Sequence, residues 1–126
     1  SLFAWFSRDL ADLGAQFIVN VTNDSWYGYW QEPYQHLYMT LARAIEFRRP
    51  VIRTTNTGIS TVVLADGTVL ERSPINEAWA GVYDVPFIRE PRATFYQRHL
   101  HLMTGFSLLL LAGVVVSGAR YRYLRA

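Results

Sequence analysis

Two short polar segments hold the residue types best suited to binding a substrate. Residues 23–28 read Asn-Asp-Ser-Trp-Tyr-Gly, and residues 55–58 read Thr-Asn-Thr-Gly. Their carboxylate, amide and hydroxyl groups can hydrogen-bond a polar ligand, and their aromatic rings can contact an apolar one. Both segments are therefore candidate walls of a substrate site. The candidate substrate-binding residues are Asn23, Asp24, Trp26, Tyr27, Asn56, Thr57 and Gly58.

Each of these candidates has a structural alternative. Asn23 and Asp24 can shape a substrate site, or they can satisfy the backbone groups of a turn, as Asn and Asp commonly do. Trp26 and Tyr27 would be costly to expose to water without a partner, which favours a substrate-contacting lid over core packing. Residues 56–58 form either a second wall of the cleft or a plain tight turn.

The elements that must position these segments form a strand, loop, helix, strand unit. An apolar-rich run at 17–22 predicts the first strand, an amphipathic segment at 33–49 predicts a helix, and residues 51–54 predict the second strand. Such units place their functional loops beyond the carboxyl ends of the strands. We expect residues 23–28 and 55–58 to occupy those positions.

The helix predicted at 33–49 has a clear start and a clear apolar face. Pro33 suits the first helical position, where its missing N–H costs nothing. Arg43 and Glu46 are spaced for an ion pair along the helix. We interpret His36 as structural, because no second His, Cys or carboxylate stands at metal-binding spacing on this helix. The expected apolar face consists of Tyr34, Leu37, Tyr38, Leu41 and Ile45.

A further helix is predicted before the first strand, at residues 1–13. Its apolar positions recur at steps of four, four and three, and Gly14 follows as a helix stop. Ser1 is not an initiator methionine and no signal-peptide pattern precedes the helix, so we expect the chain to be a piece of a longer protein. The apolar face expected for this helix consists of Leu2, Phe6, Leu10 and Leu13.

After the second polar segment the chain predicts short β-structure. Residues 60–64 and 68–71 are β-rich runs separated by the Gly-containing turn 65–67, as in a hairpin. Residues 80–85 predict a further strand. Two prolines and mixed charge at 86–91 mark the predicted end of the folded α/β part.

Residues 102–118 form an uncharged, strongly apolar run, at the short end of the lengths that span a bilayer. Basic residues lie on both sides of it, and Tyr121 and Tyr123 follow at the expected interface. The alternative is a buried core helix, but an all-round apolar helix with basic and aromatic flanks fits a bilayer better. The Arg-rich tail favours a cytoplasmic C-terminus, with the α/β part on the other side.

Composition excludes several classes of function for this chain. Its 126 residues carry a formal net charge of +2 and contain no cysteine. Disulfides, thiolate metal sites and a cysteine nucleophile are therefore absent from the sequence, and we expect no metal and no cofactor. The arginines form no long basic run, so the sequence gives little support to nucleic-acid binding.

The order and spacing of four short motifs resemble the C-terminal part of the apolipoprotein N-acyltransferase family. That family is the membrane-embedded branch of the nitrilase, or carbon-nitrogen hydrolase, superfamily. The motifs read VNVTNDSWYG at 19–28, QHL at 35–37, ARAIEFRRP at 42–50 and RTTNTGIS at 53–60. The apolar run at 102–118 is what separates this family from soluble nitrilases and amidases.

The resemblance implies an α/β fold, namely part of a nitrilase-like α-β-β-α sandwich followed by one C-terminal transmembrane helix. It implies a domain at 1–91, a juxtamembrane linker at 92–101, a transmembrane helix at 102–118 and a basic cytoplasmic tail at 119–126. The implied location is the bacterial inner membrane, with a multi-pass full-length protein whose catalytic domain is periplasmic.

The resemblance also implies a Glu-Lys-Cys catalytic set and a ping-pong reaction. The cysteine takes an acyl chain from a phospholipid as a thioester and passes it to the N-terminal diacylglyceryl-cysteine of an apolipoprotein. None of the three residues can be placed in this chain, which has no cysteine and no lysine. Family members carry Cys-Tyr-Glu before a short Phe-containing helix, and residues 1–8 look like its continuation. The nucleophile is therefore expected just before Ser1, and the chain alone is expected to be inactive.

Two other classes of function stay open at this point. One is a membrane-tethered hydrolase of amides or nitriles. The other is a non-catalytic, membrane-anchored α/β module in which the catalytic residues are absent. A Glu, a Lys and a Cys-Tyr-Glu upstream of Ser1, after several transmembrane segments, would establish the acyltransferase.

Overall fold

A computed structural model describes residues 3–26, 28 and 30–123, without the side chains of residues 103 and 119–123. The elements lie in a helix, strand, helix, strand, strand, helix, helix order. They are α1 (Ala4–Asp12), β1 (Ile18–Thr22), α2 (Glu32–Phe47), β2 (Val51–Thr55), β3 (Thr61–Val63), α3 (Phe95–Arg98) and α4 (Leu100–Tyr123). The expected α/β class, with the strand, helix, strand unit at its centre, is confirmed.

The strands form one three-stranded sheet in the order β1-β2-β3. β1 and β2 are parallel, with Ile18 opposite Val51, and β2 and β3 are antiparallel, with Val51 opposite Val63. Because β1 and β2 run in the same direction, their carboxyl ends meet at one edge of the sheet. The two polar segments leave the strands at that edge, as predicted, the first from Asn23 after β1 and the second from Asn56 after β2.

One face of the sheet packs against α2 and forms the core. The core side chains are those of Ile18, Leu37, Ala44, Val51, Ile59 and Val63. Successive residues of a strand point to opposite faces, so Val19 and Val21 of β1 lie on the other face. Those two valines are 56% and 75% exposed. The face of the sheet that points away from α2 is thus open at β1 in the described chain.

The apolar face predicted for α2 is largely wrong. Leu37 is buried and Leu41 is half-buried, but Tyr34, Tyr38 and Ile45 are exposed. The stripe that faces the sheet is shifted around the helix and includes two polar residues. It consists of Pro33, His36, Leu37, Thr40, Ala44 and Phe47. Thr40 lies inside because it accepts a hydrogen bond from a buried arginine of β2, and His36 because it contacts that arginine's carboxylate partner. Hydrophobic periodicity does not register such contacts.

The predicted limits of α2 are also slightly too late, and its predicted ion pair is confirmed. The helix begins one residue before Pro33 and ends before Arg48, whose left-handed backbone (φ 53°) terminates it. Arg43 Nη2 lies 2.6 Å from Glu46 Oε1, one turn along the helix.

The face predicted for the first helix is correct only at Leu10, which is half-buried and packs against the core. Phe6 and Leu13 are exposed, whereas Ser7 and Ala11 are buried; Leu2 lies outside the described residues. Small side chains face inward here because the guanidinium of Arg49 lies beside α1 and donates a hydrogen bond from Nη2 to Ala11 O (3.2 Å). Gly14 follows the helix with φ +87°, as its predicted role as a stop requires.

The hairpin is confirmed only in outline. Leu64 N–H donates to Thr68 O and Leu70 N–H donates to Val62 O, closing the predicted turn, and Gly67 has φ +93°. The second arm is reduced to an isolated bridge between Val63 and Val69 instead of the predicted strand at 68–71.

The prediction of a strand at 80–85 is wrong. Residues 80–85 have no regular secondary structure, and Val82 is fully exposed. The segment is held by side chains instead of a ladder, because the Tyr83 hydroxyl donates to Glu71 O (2.7 Å). Its weak apolar alternation therefore reflects no sheet pairing among the described residues.

The chain beyond residue 86 packs back onto the domain before α4 begins. The Phe17 and Phe87 rings lie 6.1 Å apart, and the Phe47 and Tyr96 rings lie 5.8 Å apart. Gln97 Nε2 donates to Asp12 Oδ1 (2.6 Å). The short helix α3 is thus attached to both α1 and α2.

The helix α4 contains the predicted transmembrane segment. Leu100–Gly118 has a mean hydropathy of 2.0, and none of it is buried. It meets the length and composition needed to cross a membrane, a test that core helices of soluble proteins also pass. Residues 124–126 of the predicted basic tail lie outside the described part of the chain, as do the side chains of residues 119–123.

Candidate functional site

The two polar segments meet at the carboxyl edge of β1 and β2 through an amide pair. Asn56 Nδ2 donates to Asn23 Oδ1 (2.8 Å). Asn56 Oδ1 in turn accepts from the backbone N–H of Asp24 (3.0 Å). Two of the residues predicted to line the site therefore contact each other directly, although they are far apart in sequence.

A fully buried ion pair lies beneath this amide pair. Arg53 Nη2 lies 2.6 Å from Asp24 Oδ2, and neither side chain is exposed. Arg53 also donates from Nε to Ile59 O (3.1 Å), and from Nη1 to Asn20 Oδ1 and Thr40 Oγ1 (both 3.2 Å). One guanidinium thus binds β1, α2 and both loops, which fixes the loops relative to the sheet.

His36 completes the cluster from α2. Its Nδ1 lies 2.9 Å from Asp24 Oδ1 and 3.2 Å from Arg53 Nη2. Burial and the charge of Arg53 lower the pKa of His36, while Asp24 acts in the opposite direction. The imidazole is therefore neutral at pH 7 and donates Nδ1–H to the carboxylate.

The interpretation of His36 as a structural residue agrees with this position. Within the described ranges, no group of three or more His, Cys, Asp or Glu side chains is placed to hold a metal ion.

Gly58 is required by close packing against Asp24. A Cβ at this position would lie 3.0 Å from both Cβ and Cγ of Asp24 and would overlap a carboxylate oxygen. The glycine therefore lets the second loop cover the ion pair.

A cleft of about 610 Å³ opens above the amide pair. It is lined by Val21, Thr22, Asn23, Thr54, Thr55 and Asn56. Val21 supplies an apolar surface, and hydroxyl and amide groups supply the polar one. The arrangement suits a ligand with an apolar chain beside an oxygen-rich group.

The predicted site residues have different places around this cleft. Asn23 and Asn56 line it, whereas Asp24 and Gly58 support it from beneath. Thr57 is turned toward its own loop, since its hydroxyl Oγ1 lies 3.4 Å from Asn56 Oδ1. Trp26 is 77% exposed. Tyr27 lies outside the described residues.

Sequence reasoning missed Arg53 and Asn20 as parts of the site. Arg53 stands between Val51 and Thr55 at a position that faces the core, and a charged residue there needs a buried partner. That signal was present in the strand sequence. The identity of the partner, Asp24, depended on the loop conformation and could not be read from spacing.

Comparison with known proteins places these features in a wider context. The sequence model of the carbon-nitrogen hydrolase family matches residues 1–86. The chain is 51% identical over 118 residues to a protein from Bdellovibrio bacteriovorus named apolipoprotein N-acyltransferase. The aligned region covers 94% of this chain and 22% of that protein.

Proteins of the same name from other bacteria are also similar. The relative from Caulobacter vibrioides is 34% identical over 95% of this chain and 22% of its own length. The relative from Geobacter metallireducens is 39% identical over 59% of this chain and 14% of its own length. The chain thus spans 22% of the Bdellovibrio and Caulobacter proteins and 14% of the Geobacter protein. These matches confirm the resemblance drawn from the motifs.

Proposed function

This chain belongs to the carbon-nitrogen hydrolase family, and from that membership we propose that it is part of a membrane N-acyltransferase of lipoprotein maturation. The proposed enzyme moves an acyl chain from a phospholipid, through a cysteine thioester, to the N-terminal diacylglyceryl-cysteine of apolipoproteins. The observation that carries the proposal is the 51% identity, over 94% of the chain, to a protein named for this activity.

The proposed reaction has two balanced halves. A thiolate attacks the ester carbonyl of the phospholipid, the carbon–oxygen bond breaks, and the lysophospholipid alkoxide takes up a proton. The amine of the lipoprotein cysteine then attacks the thioester, the carbon–sulfur bond breaks, and the amine loses a proton as the thiolate leaves. A carboxylate base and a lysine beside the oxyanion suit this chemistry. Cysteine and lysine are absent from the present sequence, and we propose that this chain contributes substrate contacts instead.

We assign those contacts to the cleft at the carboxyl edge of the sheet. Its amide and hydroxyl groups fit the ester and head-group oxygens of a phospholipid, and Val21 fits the chain. Asp24, Thr57 and Gly58 shape the two loops. Trp26, which is exposed, and Tyr27 are proposed as a lid that contacts lipid.

The proposed location is the bacterial inner membrane, with the α/β domain on the periplasmic side. The long apolar helix supports a membrane position, and its mean hydropathy of 2.0 is that of a transmembrane segment. The phospholipid donor would then reach the cleft from the bilayer, and the lipoprotein acceptor would be held by its own lipid in the same membrane.

The full-length protein in detergent tests the proposal. We expect labelled phospholipid to give a covalent acyl-protein, and a diacylglyceryl peptide to remove the label from the protein and become acylated. The 126-residue chain alone should do neither, because it has no thiol nucleophile. Hydrolysis of simple amides by the full-length protein, without an acyl-protein from phospholipid, would instead identify a membrane-tethered hydrolase.

A further inference from the structure

The hydrogen bonds of the amide pair determine which way each amide faces. Asn56 Oδ1 accepts from the N–H groups of Asp24 and Thr57 (both 3.0 Å), so its Nδ2 is the group that donates to Asn23. Asn23 Oδ1 therefore accepts from Asn56 Nδ2 (2.8 Å), and it also accepts from Ser25 N–H (3.0 Å). A carbonyl oxygen with two donors has its acceptor capacity filled.

The nitrogen of the Asn23 amide is the atom left over. Asn23 is exposed and lines the cleft, and among residues 3–26, 28 and 30–123 its Nδ2 has no hydrogen-bond partner. The atom is also a donor only, since an amide nitrogen has no free lone pair to accept with. The cleft therefore presents a fixed N–H donor beside an apolar wall.

The buried ion pair is what keeps that donor in place. Asp24 follows Asn23 directly in the chain, and its carboxylate is held by Arg53 at 2.6 Å. The same residue donates its backbone N–H to Asn56, which holds the Asn23 oxygen. Arg53 and Asp24 thus act as positioning residues, and Asn56 transmits their position to Asn23.

We propose that Asn23 Nδ2 donates a hydrogen bond to an oxygen atom of the phospholipid acyl donor. This inference rests on the proposed function and adds the binding contact and its chemistry. Two oxygens of a phospholipid fit a neutral N–H donor, the ester carbonyl and the phosphate. Both are acceptors without hydrogens of their own, so the donor also discriminates against groups that can only donate, such as an ammonium.

The test uses Asn23→Asp in the full-length protein, because aspartate keeps the shape and the accepting oxygen but replaces the donor with a second acceptor. Asn76→Asp is the matched control: it makes the same chemical change on an exposed side chain, and the residue contacts the nearby loop through its backbone N–H to Thr57 O (2.9 Å). The readouts are the single-turnover rate of acyl-protein formation and the melting temperature. Two acyl donors are compared. One is a diacyl phospholipid, and the other is p-nitrophenyl palmitate, which has an ester carbonyl and no phosphate.

We expect Asn23→Asp to slow acyl-protein formation from phospholipid about tenfold relative to Asn76→Asp, with the melting temperature unchanged. An equal loss with p-nitrophenyl palmitate assigns the hydrogen bond to the carbonyl, and a loss confined to phospholipid assigns it to the phosphate. Equal rates of acyl-protein formation for Asn23→Asp and Asn76→Asp with both acyl donors would overturn the inference.

A second variant decides the matter if Asn23→Asp lowers the melting temperature. Asn56→Asp keeps the acceptor for Asp24 N–H and removes only the donor to Asn23, so it should give a smaller loss in the same direction. No loss in that variant would count against the inference. A wild-type protein that forms no acyl-protein at all would refute the proposed function, whereas wild-type turnover with unaffected variants would refute the Asn23 contact alone.

Discussion

At the scale of single residues, a charge buried in β2 organises the site. Arg53 and Asp24 are both fully enclosed, and each would be an expensive isolated charge without the other. Their hydrogen bonds reach the two loops, β1 and α2, so the pair specifies one arrangement of these elements. An apolar pair of similar volume could fill the space, but it could not orient Asn56 and Asn23.

Breaking the pair should therefore destabilise the protein much more than replacing it. We expect Asp24→Asn to lower the free energy of unfolding of the full-length protein by about 3–5 kcal/mol, because Arg53 is left charged and unpaired. Adding Arg53→Met should recover part of that loss, without restoring acyl-protein formation. Denaturant titration in detergent measures both. The Arg8–Asp9 pair, whose side chains are 27% and 53% exposed, provides the control, since Asp9→Asn should cost less than about 1 kcal/mol.

His36 should give the fold a pH dependence of defined sign. The pKa of His36 is lowered from its ordinary value of 6.5, first by burial and then by Arg53. The folded state therefore binds this proton less readily than the unfolded state does, so its contribution to stability is complete above pH 6.5 and falls below it. His36→Asn, which keeps a nitrogen donor near Asp24, should flatten the stability profile below pH 6.5. An unchanged slope in the variant would show that other groups cause the pH dependence.

At the scale of elements, the sequence specified the limits of β1, α2 and β2, but it also predicted strands at 68–71 and 80–85 that do not form, and it did not specify which faces are buried. Strand and helix limits at 17–22, 33–49 and 51–54 were correct to within two residues, because prolines and apolar runs mark them clearly. The buried faces of α1 and α2 were wrong, since the inward positions carry Ser7, His36 and Thr40. Those side chains are buried by contacts with other elements, and a single helix does not record such contacts.

The open face of β1 provides a prediction at this scale. Val19, near the amino end of β1, is 56% exposed here, but a nitrilase-like α-β-β-α sandwich would cover this end of the strand with a second sheet contributed by the rest of the protein, while Val21 lies at the cleft. In the full-length protein, Val19→Asp should lower stability by about 1.5–3 kcal/mol, the value of a buried valine. Val82→Asp, on a fully exposed residue of the loop, should have little effect. Equal effects of the two substitutions would argue against a covering sheet.

At the scale of the whole molecule, a short connection through α3, which packs on the domain, joins the domain to the apolar helix α4. α3 packs on α2, Gln97 binds Asp12 of α1, and α4 begins two residues after α3 ends. Arg8 Nη1 also lies 3.1 Å from His101 Nε2 at the start of α4. If α4 crosses the bilayer, these contacts hold the domain against the membrane surface, where a phospholipid donor is available.

The orientation of α4 can be tested with reporter fusions to residue 126 of the full-length protein. The Arg-rich sequence after the apolar segment predicts a cytoplasmic C-terminus and a periplasmic domain. Activity from a reporter that works only outside the cytoplasm would contradict this orientation. Release of the protein from membranes by a high-pH wash would show that no segment spans the bilayer.

The most direct test of the account asks where the acyl donor binds. A phospholipid with a photoactivatable group near its ester bond is cross-linked to the full-length protein, and the labelled peptides are identified by mass spectrometry. We predict labels in residues 19–30 and 51–58, which contain the cleft and its proposed lid, and loss of those labels when unmodified phospholipid is added in excess. Competed labels confined to α4 or to residues 79–85, with none at the carboxyl edge of β1 and β2, would contradict the assignment of this cleft.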